Sequence, residues 1–286
     1  MIRLNAIPMD FEPRQKIVSK FSAYSDGLEE AFLMDEFDSA FLCGVLKTFR
    51  PKKILEVGVA AGASTAIILQ ALEDIGAPYE MHSIDLFTKH WYYTNADMGF
   101  LAAFAKEKNL INSDGLHGTH EFHLGKLLPQ VIDEIGGDID FVILDTIHRL
   151  PGEVLDFLTV LPYLTDNAVV VLHDVLLHQT AKPIENATGV LFGAVSADKF
   201  LNFQADDELF RYPNIAAFKV NEHTTACVDN LFVSLILNWN CFFNEQIFVY
   251  REHFRRFYSD ALMKIFQESV DINGYNRWIL AQENRD

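Results

Sequence analysis

Apolar runs that stop at acidic residues are the feature that most restricts how this chain can fold. KILEV (53–57) contains Glu56, MHSIDL (81–86) contains Asp85, FVILD ends at Asp145, and AVVVLHD ends at Asp174. Strands with apolar residues at consecutive positions are buried on both faces, which is typical of parallel sheets covered by helices. Segments with helical periodicity lie between these runs. The alternation predicts an α/β fold with a doubly wound, mostly parallel sheet.

The remaining segments divide the chain into three predicted parts. Residues 1–50 form an N-terminal helical segment, residues 51–221 form the α/β domain, and residues 222–286 form an aromatic-rich helical extension. KFLNF and NIAAFKV, near the end of the central part, are predicted to add antiparallel strands. For the extension, a lid, a contact in a homo-oligomer and a cover for the core stay open, and the last is favoured.

Composition excludes several classes of partner. The net charge of −17 disfavours nucleic acids and anionic membrane surfaces, because both would be repelled. Three cysteines are too few for a disulfide framework, which favours reduced thiols and a cytoplasmic location. The N-terminus lacks the apolar core of a signal peptide, and LFVSLILNWNCFF is too short and too polar to span a bilayer. The expected partner is a small molecule.

A glycine turn after the first central strand predicts a nucleoside site. In LEVGVAAGAST, Gly58 permits a tight turn and Gly62 permits close approach to a ligand, while Ser64 begins a helix with free N–H groups. The spacing is not that of the dinucleotide fingerprint, and Glu56 would repel a pyrophosphate but accept from a cationic amino group. Asp85, at the end of the next strand, is suited to accept from both ribose hydroxyls. An amino-acid-bearing nucleoside is therefore favoured over a dinucleotide, and a nicotinamide oxidoreductase is disfavoured.

These motifs, together with the DTIH and LHD stretches, resemble class I S-adenosylmethionine-dependent methyltransferases. More narrowly, they resemble the branch of metal-dependent catechol-type and macrolide-sugar O-methyltransferases. The resemblance covers about residues 50 to 220. It implies a Rossmann-like sheet of seven strands and S-adenosyl-L-methionine as the methyl donor, bound by Glu56, Gly58, Gly62, Ser64 and Asp85. Gly125 is expected to let the backbone approach the adenine, with an ordinary strand-end turn as the alternative.

The resemblance also implies a divalent cation beside the methyl donor. It places Asp145 and Asp174 as metal ligands, and adjacent carboxylates at neighbouring strand ends would otherwise repel each other. His173 departs from the family pattern, where an acidic or amide residue is usual, and it is expected as the third ligand. Because imidazole suits softer cations than magnesium, the identity of the metal (Mg, Mn or another) stays open. A role of His173 as a hydrogen-bonded core histidine is equally open.

His148 lies three residues after Asp145 and is the expected catalytic base. In the sugar O-methyltransferases, the histidine of this D-x-x-H pattern resembles the group that takes the proton from the acceptor hydroxyl. The alternative for His148 is a helix cap or a packing contact.

The leading hypothesis is a metal-assisted O-methyltransferase for a hydroxyl of a small polar acceptor, such as a sugar or secondary metabolite. The alternatives are a metal-independent methyltransferase and a non-catalytic nucleoside-binding or scaffold protein that has kept the cofactor pocket.

Overall fold

In the computed structural model, an eight-stranded mixed sheet organises the described residues, which are 2–4, 7–24, 32–93, 95–180, 184–202, 204–206, 209–211, 214–241 and 244–283. The strands, in chain order, are β1 (Ile2–Leu4), β2 (Lys53–Val57), β3 (Glu80–Asp85), β4 (Thr119–Leu124), β5 (Ile139–Leu144), β6 (Leu164–His173), β7 (Asp198–Leu201), β8 (Gln204–Asp206), β9 (Leu209–Arg211) and β10 (Ile215–Lys219).

Helices separate most of these strands. They are α1 (Glu12–Ser22), α2 (Glu36–Phe49), α3 (Ala63–Ile75), α4 (Phe100–Glu107), α5 (Ile132–Ile135), α6 (Gly152–Val160), α7 (Leu177–Thr180), α8 (Ala187–Ala194), α9 (Glu222–Ala226), α10 (Asp229–Ser234), α11 (Asn244–Phe254) and α12 (Asp260–Glu283). Short 3-10 turns cover Leu128–Gln130 and Leu161–Tyr163.

The strand order is β1-β7-β10-β6-β5-β2-β3-β4. Every neighbouring pair is parallel except the two pairs of β10, which runs antiparallel to β6 and to β7. The predicted mostly parallel sheet of seven strands is therefore confirmed, including the antiparallel strand in NIAAFKV. The segment predicted as helical at the N-terminus contributes an additional edge strand, β1, which pairs with β7. Strands β8 and β9 form a separate antiparallel pair.

The order of the central strands creates a switch point between β2 and β5. The chain runs from β2 outward to β3 and β4, and then returns to β5 on the other side of β2. Loops that follow β2 and β5 therefore leave the same edge of the sheet in opposite directions, which opens a crevice beyond their carboxyl ends.

Alternate residues of the strands face two hydrophobic layers. Ile54 and Phe141 pack on the side that carries α1 to α4, whereas Leu55 and Val142 pack on the side of α6 and α8. The second layer also contains aromatic residues of α10, α11 and α12, namely Phe232, Phe254 and Phe266. These helices belong to the segment predicted as an extension, and they cover the core. The domain boundaries and a homo-oligomer formed through these helices stay predictions.

Among the helices of the described residues, none has both the length and the apolarity that crossing a bilayer requires. The cytoplasmic location stays a prediction.

Candidate active site

A cavity of about 620 Å³ lies at the carboxyl ends of β2, β3, β5 and β6. The predicted site residues that line it are Gly58, Ser64, Asp85, Asp145, His148, His173 and Asp174. Glu56, Gly62 and Gly125 are not among its lining residues. The fold thus brings most of the predicted residues to one site, at the edge where α/β sheets bind their ligands.

Gly58 is the point at which the ends of β2 and β5 meet. Its φ is +98°, and a Cβ atom here would lie 1.9 Å from the carbonyl oxygen of Asp145. The Asp145 N–H also donates to the carbonyl of Val57 over 2.9 Å. Only glycine fits both the backbone conformation and the contact. The turn therefore holds Asp145 beside the loop that follows β2.

Gly62 has a different role from the one predicted. Its φ is +83°, and an added Cβ would lie 2.7 Å from Cα of Gly99, at the start of α4. The close approach that requires glycine is therefore to the chain itself. The expectation that Gly62 contacts a ligand does not fit this geometry, and its effect on the cavity is to set the position of α3.

The predicted contact between Glu56 and an amino group does not fit the structure either. Glu56 is fully buried, and its carboxylate accepts from the hydroxyls of Ser64, Thr65 and Ser83 at 3.1, 2.8 and 2.6 Å. Burial raises the pKa of Glu56 to about 7, although the hydroxyl donors act in the opposite direction. Glu56 therefore ties α3 and β3 to β2 from inside the protein and does not face the cavity.

Asp85 supports the glycine loop from the neighbouring strand. Its Oδ2 accepts the backbone N–H groups of Val59 and Ala60 at 3.0 and 3.2 Å, and its Oδ1 accepts that of Phe87 at 2.9 Å. A carboxylate has about four acceptor positions, so at least one stays available to a ligand. Asp85 both shapes the loop and lines the cavity.

Gly125 forms the turn after β4. Its φ is +73°, and an added Cβ would lie 2.9 Å from Cγ2 of Thr88. The turn directs Lys126 and Leu127 to the cavity, and the Lys126 N–H donates to the Asp85 carbonyl over 3.2 Å. The structure therefore favours the alternative of a strand-end turn, in which Gly125 acts on the cavity through the residues that follow it.

Asp145 and Asp174 end β5 and β6 side by side, and both line the cavity. Burial would raise the pKa of Asp145, but the charge and hydrogen bond of His173 outweigh it and lower that pKa. Asp174 has a φ of +58°, a conformation that non-glycine residues seldom adopt, and its Oδ1 accepts from the side-chain amide of Asn214. This contact fixes the direction of the second carboxylate.

His173 is enclosed by three carboxylates. Its Nδ1 lies 3.2 Å from Asp145 Oδ1 and 3.5 Å from Asp174 Oδ2, and its Nε2 lies 3.4 Å from Asp38 Oδ2. Burial lowers the pKa of His173, but these carboxylates raise it well above its ordinary value. Both ring nitrogens of His173 therefore face carboxylates, an arrangement that suits a buried imidazolium, and its expected role as third metal ligand stays a prediction.

His148, in contrast, lies directly against both acids. Its Nε2 is 3.3 Å from Asp174 Oδ2 and 3.8 Å from Asp145 Oδ1. On the other side of the ring, Nδ1 is 3.5 Å from Glu153 Oε1, and the same oxygen accepts the backbone N–H of His148 over 2.6 Å. The φ of His148 is +59°, which is a strained conformation of the kind found at functional sites. Glu153 therefore holds the backbone of His148 at the point where its imidazole faces the two acids.

Sequence reasoning missed Glu153, Asp38 and Asp156. Glu153 is fully buried in α6. Asp156, one turn later, accepts from the hydroxyls of Thr146 and Tyr250 at 3.2 and 2.8 Å, and burial raises its pKa to about 7. The signal was present, since both acids stand in the otherwise apolar helix GEVLDFLTV.

Part of the chain is similar to a known protein family. Residues 55–175 match the family model of a methyltransferase domain, which confirms the resemblance to methyltransferases for that part of the chain. No curated protein matches the chain.

Solved structures also match about three quarters of this chain at low sequence identity. One is an O-methyltransferase from Bacillus cereus in complex with SAH (15% identity, 76% of this chain and 94% of that chain, TM-score 0.47). Another is the O-methyltransferase TomG from Streptomyces achromogenes, involved in tomaymycin synthesis, in complex with SAM (17%, 76% and 92%, 0.44). A third is the SAH-bound methyltransferase PaMTH1 from Podospora anserina (10%, 74% and 88%, 0.45).

Proposed function

We propose that this chain transfers a methyl group from S-adenosylmethionine to a hydroxyl of a small polar acceptor, since residues 55–175 match the family model of a methyltransferase domain. The observation that carries the proposal is the convergence of the loop after β2 and the carboxylates that end β5 and β6 on one cavity. A donor bound at the loop and an acceptor bound near the carboxylates would meet there, and such proximity is itself a large part of catalysis.

The loop after β2 supports donor binding in two ways. Residues 58–61 line the cavity together with Ala63 and Ser64, so the free N–H groups in the first turn of α3 are available to a carboxylate. Asp85, with an acceptor position still open, suits a ribose hydroxyl. Glu56 contributes by holding Ser64 and Thr65 in place.

A divalent cation fits between Asp145, Asp174 and His148. Their ligand atoms all lie within 4.8 Å of one another. A cation held there would lower the pKa of an acceptor hydroxyl. Two carboxylates and one imidazole suit manganese, iron, cobalt or zinc at least as well as magnesium, which prefers oxygen ligands.

His148 Nε2 can accept a proton or bind a cation, but it cannot do both at once. As the catalytic base, it would receive the proton of the acceptor hydroxyl at Nε2, while Glu153 beside Nδ1 stabilises the imidazolium that results. As a metal ligand, it would need Nε2 unprotonated. These two roles predict different behaviour of variants.

A metal-independent methyltransferase is the second candidate, and one specific observation favours it. His173, held as an imidazolium between Asp38 and Asp145, already supplies positive charge beside the strand-end acids. This charge reduces the repulsion between Asp145 and Asp174 that would otherwise call for a cation.

The acceptor side of the cavity combines apolar and polar groups. Phe87 and Trp91 are exposed aromatic residues on its rim, and Tyr250 forms part of its wall. Arg149 donates to Glu185 over 3.1 Å, and both line the cavity. This mixture supports a small polar molecule with an apolar part, such as a sugar-bearing or secondary metabolite.

Donor binding can be tested by calorimetry with S-adenosylmethionine and S-adenosylhomocysteine, with NAD as the comparison ligand. Asp85→Ala should weaken donor binding by about 1.5–3 kcal/mol, because an acceptor for the ribose hydroxyls is lost. Asp114→Ala, at an exposed position, is the control. An unchanged donor affinity in Asp85→Ala, or tight binding of NAD instead, would contradict the assignment.

Catalysis can be tested by transfer of labelled methyl groups to a panel of hydroxyl-bearing acceptors, with and without chelation. Loss of transfer on chelation supports the metal-assisted route, and full transfer supports the metal-independent one. Donor binding without transfer to any acceptor would favour the non-catalytic alternative.

The role of His148 is decided by His148→Ala. If His148 is the base, transfer falls by about 10²–10⁴-fold and the ascending limb of the rate–pH profile disappears, while cation affinity is kept. If it is a ligand, cation affinity falls with activity. A stable variant with the activity of the parent would exclude both roles.

A further inference from the structure

A second cluster of histidine and carboxylate side chains lies outside the cavity, on β3 and β4. His82 pairs with Glu121 in the register of these strands, and His123 follows two residues later on the same face of β4. The ligand atoms of His82, Glu121 and His123 all lie within 4.8 Å of one another. None of the three lines the cavity described above, so this cluster is a separate place in the fold.

The two imidazoles of this cluster face each other. His82 Nδ1 lies 3.0 Å from His123 Nε2. Two nitrogen ligands on a tetrahedral zinc ion, each bound at 2.0–2.1 Å, stand about 3.3 Å apart. The observed separation therefore needs only a small adjustment to accept a cation between the rings. Glu121 has an exposed side chain and can rotate to bring a carboxylate oxygen to the same point.

The opposite side of the His82 ring is held by a carboxylate. His82 Nε2 lies 2.7 Å from Glu80 Oε1, and Lys53 Nζ lies 3.3 Å from the same oxygen. A histidine that binds a metal typically donates its other ring N–H to a carboxylate, which fixes the tautomer and orients the free lone pair. With Nε2 protonated toward Glu80, the lone pair of Nδ1 is directed at His123.

From this geometry we infer that His82, His123 and Glu121 form a site for a divalent transition metal of the zinc type, with Glu80 as the carboxylate that orients His82. Two imidazole ligands select for zinc, copper or nickel over magnesium or calcium. The site ties the edge strand β4 to β3. The turn at Gly125, which begins where β4 ends, carries Lys126 and Leu127 to the cavity, so an ion here would also stiffen that wall.

The test uses the full chain after removal of metals by chelation. Zinc binding is measured by competition with a chromophoric chelator, for the parent and for His123→Gln, Glu121→Gln and Glu80→Gln. His223→Gln, at an exposed position in α9, is the control, and Asp174→Asn removes a possible ligand of the cavity site. The parent, His223→Gln and Asp174→Asn should all keep one zinc ion that His123→Gln loses. Glu80→Gln should bind that ion about 10- to 100-fold more weakly.

Two further readouts separate a metal site from a proton shared by the two rings. Zinc should raise the melting temperature of the parent but not that of His123→Gln, and cobalt in place of zinc should give the visible absorption of a tetrahedral ion with nitrogen ligands. If His123→Gln fails to fold, Glu121→Gln gives the same comparison from an exposed side chain. Equal zinc affinity in His123→Gln and His223→Gln, or no zinc binding by the parent, would overturn the inference.

Discussion

At the scale of single residues, the site depends on ionisable groups that are buried beside hydrogen-bond donors or opposite charges. Glu56 accepts from three hydroxyls and contacts no cation within the described part of the chain. Hydrogen bonds from neutral donors offset only part of the cost of burying a charge. The net result is a raised pKa, so ionisation of Glu56 works against folding.

This gives a first prediction, for Glu56→Gln. The pKa of Glu56 in the folded protein is about 7, above its ordinary value of 4.5, so the folded state holds a proton that the unfolded chain releases between these values. The contribution of Glu56 to stability therefore declines as pH rises from 4.5 to 7, by about 3 kcal/mol in total. Glutamine keeps an acceptor for the hydroxyls and carries no charge.

The measurement is urea unfolding of parent and variant at pH 4.5 and pH 7.5. The parent should lose more stability between these two values than Glu56→Gln does. Asp156, whose pKa burial also raises to about 7, contributes the same trend in both proteins and therefore cancels in the comparison. Identical pH dependence in the two proteins would contradict this interpretation of Glu56.

At the scale of elements, the site depends on how closely strand ends approach one another. The ends of β2 and β5 touch at Gly58, where an added methyl group would overlap the carbonyl of Asp145. Gly58→Ala should therefore separate these strands and displace Asp145 from the cavity.

We expect Gly58→Ala to lower the free energy of unfolding by more than about 3 kcal/mol, because the strain of a positive φ adds to the cost of the overlap with the Asp145 carbonyl. Gly193→Ala is the control: Gly193 lies in α8, nothing lies within 4 Å of its added Cβ, and alanine should be neutral or stabilise the helix by about 0.5–1 kcal/mol. Chemical denaturation measures both. Equal stability of the two variants would show that the strand ends tolerate separation.

Sequence patterns predicted the central elements well because their signals are local. Apolar runs identified β5 and β6, and the acids that end these runs reached the cavity as expected. β1 was missed because its pairing with β7 joins residues 197 positions apart, and a three-residue strand has no periodicity of its own.

The errors at the site have the same origin. No local pattern reveals that His173 Nε2 faces Asp38 on α2. Glu56 and Gly62 were expected to touch a ligand, but each faces another element of the protein. Sequence spacing identifies which residues come to a strand end, whereas the direction of each side chain depends on contacts made by distant segments.

At the scale of the whole molecule, the C-terminal helix α11 contributes to the cavity wall. Tyr250 on α11 is buried, lines the cavity and donates to Asp156 on α6 over 2.8 Å. The family match ends at residue 175, so this part of the wall comes from outside the matched region.

Tyr250→Phe tests how strongly α11 is coupled to the site. Loss of the hydroxyl leaves Asp156 with fewer donors, so its pKa should rise further and the protein should lose about 1–3 kcal/mol of stability above pH 7. At a pH well below 7, where Asp156 is protonated, the loss should be smaller. Tyr92→Phe, at an exposed position, is the control, and a loss that does not depend on pH would argue against the coupling.

The position of Tyr250 also has an evolutionary consequence. The strands that end at Asp85, Asp145 and Asp174 also form the hydrophobic core. Substitutions in these strands therefore affect folding and the chemistry of the site together. One wall of the cavity, however, belongs to a helix that lies beyond the matched domain. During evolution, substitutions in α11 can therefore change the ligand preference of the cavity, while the sheet and its core stay the same.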